Sequence, residues 1–392
     1  MKRRFYIIAG RILTIAALLL QSRSIAAQEL NIPSRWTEGI CNVSPLYTRD
    51  TISICFLGDM MMHGSQIENA YRGDGEYDFS SYFHYLKSRL SSADLAIINM
   101  EFPLAGEPYT GYPSFSAPDT IASYMADCGV DVFLAANNHI FDKGASGAQR
   151  TIEKYRELYQ THGTMFLGLA EDSEEKTHNS PLMIGIKGMR LALLNFTYAT
   201  NGGRRSGWPQ VCYMDDRESI REGIAAAHRK DSDIIIAMPH WGNEYELRHS
   251  QEQSETAEWM IEEGVDAIIG AHPHVVQDTE IMHRNGKSIP IVYSLGNAVS
   301  NMSAKNTQVE LMVTLKAARD RNGTLKILAP EYTFLWCSRP GGFNNSYTVI
   351  PIRDFIGRED LWDNTWDYQR MISSYERVKE ETGINDTTDT HD

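Results

Sequence analysis

The sequence predicts a layered α/β fold, and three observations predict it. Short apolar runs of strand character recur along the chain, amphipathic stretches of helical length lie between them, and several runs end in polar, chemically capable side chains. The runs are "TISICFLGD", "ADLAIINME", "VDVFLAANNH", "SDIIIAMPH", "VDAIIGAHPH" and "IPIVYSLGN". They are continuously apolar rather than alternating, so burial of both strand faces is expected. The intervening stretches, "DTIASYMADCG", "GAQRTIEKYRELYQTHG", "DRESIREGIAAAHRK" and "SQEQSETAEWMIEEG", read as helices. Each closes near Gly, His or Lys, which suit helix ends.

Taken in chain order, residues 1–27 come first, with a basic start, the apolar run "ILTIAALLL" and the small residues of "SIAAQ". This is the layout of a secretory signal peptide cleaved after Ala27, which implies export to the periplasm or cell envelope. The alternative is an uncleaved anchor over residues 5–22, although the apolar run is shorter than the ~20 residues of a comfortable span. Membrane contact is expected only in that case. Residues 28–50 read as an N-terminal arm, and no boundary interrupts residues 51–352, which are expected to form one domain. Within it, "LMIGI" and "RLALLNFTY", and later "VELMVTLKA" and "LKILAPEYTFL", follow each other without a full helix between. They are expected to be antiparallel additions or a second sheet. Residues 353–392 read as a helical tail that frays over "NDTTDTHD".

Composition narrows the function. The chain has 392 residues, 42% of them hydrophobic, and a net charge of −14. Residues 1–27 carry five basic side chains and no acid, so their removal gives −14 − 5 = −19. So acidic a protein is a poor general nucleic-acid binder, and an anionic ligand would need a local basic patch. The five cysteines, Cys41, Cys55, Cys128, Cys212 and Cys337, are odd in number and widely spaced. Cys55, inside an apolar run, is expected to be a buried thiol, and without a CxxC motif a thiolate zinc site is not expected.

In open α/β sheets, ligands bind beyond the carboxyl ends of the strands. Asp59, Glu101, Asn138, His139, His240, His272 and His274 all fall there. Met singly, each has a bland reading as a turn former, a surface carboxylate or a structural histidine; their joint placement argues for a site. Carboxylate, amide and imidazole ligands suit zinc, manganese or iron. Two such ions about 3.5–4 Å apart, bridged by a carboxylate, acidify a water that attacks a phosphorus ester.

This set resembles the calcineurin-like metallophosphoesterases, and more closely the bacterial capsule-synthesis family (CapA-type, poly-gamma-glutamate biosynthesis) within that fold. The stretches that carry the resemblance are "FLGDMMMHG", "ADLAIINMEFPLAG", "FSAPDTIASYMADCGVDVFLAANNHIFDKG", "MPHWGNEYE", "GVDAIIGAHPHVVQ" and "IVYSLGNAVSN", in family order over residues 51–301. The resemblance implies a β-sandwich flanked by helices, in four layers α/β/β/α, and two divalent ions (Mn, Fe or Zn). By it, Asp59 and His274 hold a first metal, Glu101 bridges, and Asn138, His240 and His272 hold a second. His139 becomes the acid that protonates the leaving oxygen. The His-x-His step of "GAHPHVVQ" is then expected to put both rings on one side of the chain, one for each metal.

The chain departs from the wider fold in two places. Met61 stands where that fold has a first-motif histidine, and His63 is either a displaced ligand or a loop residue. Asn99 and Glu101 stand in place of a Gly-Asp bridge, which leaves Asn99 as a fallback ligand. Asp142 is either an orienter of His139 or a helix N-cap; Trp241, Glu244 and Asn297 are further candidates for a supporting role. Arg204 and Arg205 in the glycine-rich "NGGRRSGWP", with Arg248, are candidates for the basic patch, the alternative being a solvated loop. The Tyr- and Pro-rich "EPYTGYPSFSAP" is a second rim candidate.

Two functions follow as expectations. One is a secreted metal-dependent hydrolase of a phosphoester or related linkage. The other is an envelope or capsule assembly factor that binds an anionic polymer beside the capsule synthesis and export machinery.

Overall fold

The computed structural model describes residues 36–38, 51–319, 323 and 325–387. The expected signal peptide and most of the expected arm lie outside the described residues.

Two large sheets form the centre. The first has eight strands, among them Ile52–Met60, Leu95–Met100, Val132–Leu134 and Met165–Leu167, which run parallel in that order. Val309–Arg319 extends it antiparallel beside Ile52–Met60, and Glu331–Ser338 and Thr348–Pro351 follow. The second sheet has seven strands. Its parallel part is Met189–Thr197, Ile234–His240, Ala267–Ile269 and Lys287–Val292. Leu182–Ile186 adds antiparallel to Met189–Thr197. Their two-residue turn, Lys187 and Gly188, has φ of 46° and 74°, the left-handed pair that a tight hairpin needs. The antiparallel additions expected from the sequence are thus present.

The layering follows from the strand period. Successive side chains point to opposite faces. Ile54, Phe56, Ile97 and Val132 meet Leu191, Leu193, Ile236 and Ile269 in one core between the sheets. The neighbouring Cys55, Leu57, Ala96 and Ile98 face outward onto helices Thr120–Asp127 and Gly144–His162. On the other side Ala192, Leu194, Ile235 and Ala237 pack on helices Arg217–Arg229 and Gln251–Glu263. The result is the expected four-layer α/β/β/α sandwich with both sheet faces covered. The four helices begin and end near the predicted signals. Ser250 and Gln253 form a capping box, and Gly163 and Gly264 close their helices at φ of 75° and 116°.

The strands stop at Leu134 and Ile269, so Asn138, His139, His272 and His274 stand on loops beyond the strand ends, where the sequence led them to be expected. Two expectations need correction. The tail is still held at residues 386 and 387, and residues 388–392 lie outside the described ones. The Asp386 carboxylate accepts from the Phe334 N–H, and the Thr387 hydroxyl accepts from that of Tyr332, because the first half of Glu331–Ser338 has an open edge there. Before it, helix Thr365–Thr382 buries Met371, Tyr375 and Val378 in the same core that the two sheets share. Finally, Asp142 is not a helix N-cap, since that position belongs to Lys143.

Among the described residues, four cysteines are free thiols; Cys55 is buried, as expected, and Cys41 lies outside them. No helix of the described residues is long and apolar enough to cross a membrane.

Candidate metal centre

The parallel strands of both sheets release their carboxyl ends onto one rim, and the polar side chains named from the sequence converge there. Asp59 ends the Ile52–Met60 strand fully buried. Its main chain is bracketed: the Asp59 N–H donates to the Gly296 carbonyl at 2.9 Å, and the Gly58 N–H donates to Glu310 Oε1 at 2.7 Å. A Cβ on Gly58 would lie 2.0 Å from the Gly296 oxygen, so only glycine permits this approach. The Asp59 carboxylate accepts from Asn99 Nδ2 at 2.7 Å and from the His272 N–H at 2.9 Å.

Glu101 follows the next strand and is also fully buried. Neither of its carboxylate oxygens has a hydrogen-bond partner. Three imidazoles stand around it. His240 Nε2 is 3.4 Å from Glu101 Oε1 and 2.9 Å from Asn138 Oδ1. His274 Nε2 is 3.8 Å from Glu101 Oε1, and its Nδ1 is 3.6 Å from Asp59 Oδ2. His272 presents a buried Nδ1 that also lacks a partner. Its ring centroid is 4.8 Å from that of His240 and 5.8 Å from that of His274.

His272 and His274 reach the same side by a route that strand periodicity did not supply. Their φ values are 100° and 58°, both in the left-handed region. The loop coils around Pro273 and turns both rings inward, a strain of the order of 1–3 kcal/mol per residue that the surrounding packing has to offset. Asn297 fixes one ring, its Oδ1 accepting from His274 Nδ1 at 2.9 Å and leaving Nε2 for the centre.

The donor set fits a divalent cation. Two groups have ligand atoms within 4.8 Å of one another: Glu101, His272 and His274, and Asp59, Glu101 and His240. They share Glu101, and they pair His240 with Asp59 and His272 with His274, a division that crosses the expected one. Burial pushes the Asp59 carboxyl well up, with the neighbouring Glu101 charge adding to it. Burial also pushes Glu101 up to about 8. Burial holds His240 and His272 well below the ordinary imidazole range and takes His274 to about 3. Two adjacent buried carboxyl groups and three imidazoles kept neutral by burial are unfavourable alone and suited to a cation.

His139 stands beside this set. Its Nδ1 is 2.8 Å from Asp142 Oδ2, whose carboxylate also accepts from the Phe115 N–H. Burial lowers its proton affinity, but the Asp142 hydrogen bond and the charges of Glu101, Asp142 and Glu244 outweigh that and raise it overall. Asn99 orients Asp59, while His63 belongs to neither ligand group and packs edge-on against Phe115 at 5.4 Å. Trp241 is buried and donates to the Tyr293 carbonyl.

The rim differs from expectation. Arg204 pairs with Asp215 at 2.8 Å and Arg248 with Asp278 at 3.5 Å, so both are locally neutralised. Arg205 lies over the Phe141 ring. Three arginines that make no ion pair among the described residues gather elsewhere: Arg339, Arg370 and Arg377. Arg339 donates to the Met302 carbonyl and Arg377 to Asn306 Oδ1, on the loop that runs on from Asn297, and Arg370 is depressed by burial and by the charge of Arg339. Sequence reading also missed Tyr198, whose ring is 4.5 Å from His272, and Asn201, which contacts His139 Nδ1 at 3.1 Å. Both follow the strand Met189–Thr197, and the same strand-end rule finds them.

The model of the family described as bacterial capsule synthesis protein PGA_cap matches residues 53–302. The capsule biosynthesis protein CapA of Bacillus anthracis is 28% identical over 296 residues, covering 72% of this chain and 68% of the relative. The PGA biosynthesis protein CapA of Bacillus subtilis (strain 168) is 26% identical over 293 residues, covering 72% of each. Among solved structures, a 5'-nucleotidase precursor from Thermus thermophilus aligns at 12% identity with a TM-score of 0.45, over 84% of this chain and 59% of that one. At that score the likeness says nothing about ligand or activity.

Proposed function

Because the chain belongs to the bacterial capsule synthesis protein PGA_cap family, as its resemblance implied, we propose that it is an exported, metal-dependent hydrolase of a phosphoester or related linkage in capsule biosynthesis. The observation that carries the reading is Glu101, a buried carboxylate with two unpartnered oxygens set between Asp59 and three neutral imidazoles. A side chain so placed is costly unless a cation completes it.

In this reading Asp59, Glu101, Asn138, His240, His272 and His274 hold two divalent ions, with Glu101 shared. Bound there, the ions supply an acidified water and neutralise charge on the attacked group. The protein does the rest. Asn99 and the His272 N–H aim the Asp59 carboxylate, and Asn297 aims His274. The Asp142 carboxylate accepts from Nδ1 of His139 and holds its ring, so that the opposite nitrogen delivers a proton to the leaving oxygen. Tyr198 and Tyr245, each partly exposed beside a histidine, flank the approach. Export by the N-terminal segment is part of the same proposal.

A second reading rests on the three unpaired arginines: an assembly factor that holds an anionic polymer on Arg339, Arg370 and Arg377 beside the synthesis and export machinery. One experiment separates the two. The purified chain, loaded in turn with Mn, Fe(II) or Zn, is assayed on an aryl phosphodiester and an aryl phosphomonoester. Metal-dependent turnover that His139→Ala cuts by about 10²–10⁴-fold supports the hydrolase; stoichiometric metal without turnover on either ester favours the assembly factor.

A further inference from the structure

On the far side of the loop that carries Phe115 lies a cleft of about 460 Å³ that the candidate centre does not use. Three tyrosines shape it. Tyr71 and Tyr77 are cross-strand partners in the small hairpin Tyr71–Gly73 and Glu76–Tyr77, with ring centroids 5.4 Å apart. Tyr109 meets Tyr77 edge to face at 5.5 Å and 89°. The rings thus form a corner, and Tyr71 leaves 48% of its surface to solvent. Glu68 and Glu107 complete the wall; both are exposed and neither makes a hydrogen bond or ion pair among the described residues.

Among the described residues no lysine or arginine lines this cleft. The nearby Arg72 is 3.6 Å from Asp78 and donates to the Asn69 carbonyl, and Arg150 is held by both oxygens of Asp119. The two glutamates therefore stand without a paired cation among the described residues beside three phenol rings, in a chain that is already strongly acidic. π faces and carboxylates around one space attract a cation that is large and weakly hydrated. A sugar is best held by several side-chain donors, and the polar side chains lining the cleft are two carboxylates and three phenols, with no side-chain amide or guanidinium.

We propose that this cleft binds an organic ammonium group, quaternary or protonated, seated against Tyr71, Tyr77 and Tyr109 with Glu68 and Glu107 neutralising it. The site is independent of the hydrolase reading, although it shares a loop with the centre: Thr110 and Ser116 pair across that loop, and Phe115 packs on His139 at 4.7 Å.

The test is calorimetric titration of the purified full chain with choline, with its neutral tert-butyl isostere 3,3-dimethylbutanol, and with glucose. Saturable binding of choline is expected, without comparable binding of the other two. Tyr77→Leu and Glu107→Gln should each weaken it by about 2- to 5-fold, the range of a contact at an exposed site. Glu107 is on the surface, so its variant keeps the fold, which an unchanged melting temperature verifies; Tyr77→Phe should retain binding. Equal binding of the neutral isostere, binding of glucose in place of choline, no saturable binding of choline, or indifference to both variants overturns the proposal.

Discussion

At the scale of single residues, His139 and Gly58 make opposite predictions. Among the described residues His139 makes no hydrogen bond to a member of the ligand set, and its orienting partner is Asp142. His139→Ala should keep its metal and lose turnover by about 10²–10⁴-fold, the usual contribution of a general acid. Metal analysis beside steady-state kinetics reads both, and loss of metal would show that His139 is a ligand instead. Gly58 bears no chemistry, yet its missing Cβ lets the end of strand Ile52–Met60 pass within contact of Gly296. Gly58→Ala should move Asp59, lower both melting temperature and metal content, and leave His139 chemistry without a centre to serve. Differential scanning fluorimetry with metal analysis shows this; a variant with unchanged metal content would mean that Gly296 gives way instead. Much of this residue level was legible from sequence. The rule that ligands gather beyond strand ends located Asp59, Glu101, His240 and the histidine pair. It did not supply the left-handed backbone at His272 and His274, because φ depends on how the loop is held, and no residue type there announces it. Arg339, Arg370 and Arg377 were hidden for another reason: Arg370 and Arg377 share helix Thr365–Thr382, but Arg339 is remote from them in sequence, and only the docking of that helix brings it to them.

At the scale of elements, the strongest sequence signals were the four amphipathic helices, since each carried a capping residue or a closing glycine and an apolar stripe. Short elements escaped. Ser173–Asn179 buries none of its residues, so it has no stripe to read. It is fastened electrostatically: Arg156 on helix Gly144–His162 pairs with Glu171 just before it and with Glu175 on it. Hydrogen bonds from Arg156, and then from Gln149, hold the Glu171 carboxyl below its ordinary range. A carboxyl depressed in the folded state stabilises fully above its unfolded pKa of about 4.3, and that contribution is lost as pH falls through the lower folded value. Glu171→Gln should therefore reduce stability at neutral pH and bring wild type and variant together at acid pH. Urea midpoints measured from pH 7 down to pH 3 check it, and a gap that widens on acidification would contradict the pairing. The apolar sandwich makes a simpler claim. Ile236, fully buried between the sheets, should cost about 2–5 kcal/mol as Ile236→Ala in the same denaturation experiment.

At the scale of the molecule, two half-parallel sheets are held face to face so that their carboxyl ends share one rim. One sheet contributes Asp59, Glu101 and Asn138 and the other His240, His272 and His274, so neither completes the site alone. If the site holds a metal as proposed, its binding and closure of the sandwich are linked, since a metal that binds only the folded state stabilises it. The most direct test is a metal count on the purified wild-type chain and on Glu101→Gln, after gentle purification and re-addition of Mn or Zn. The account predicts two divalent ions per wild-type chain, and loss of both in Glu101→Gln because both ligand groups share that carboxylate. A wild-type chain without stoichiometric metal, or a Glu101→Gln chain that keeps a full complement, would contradict it.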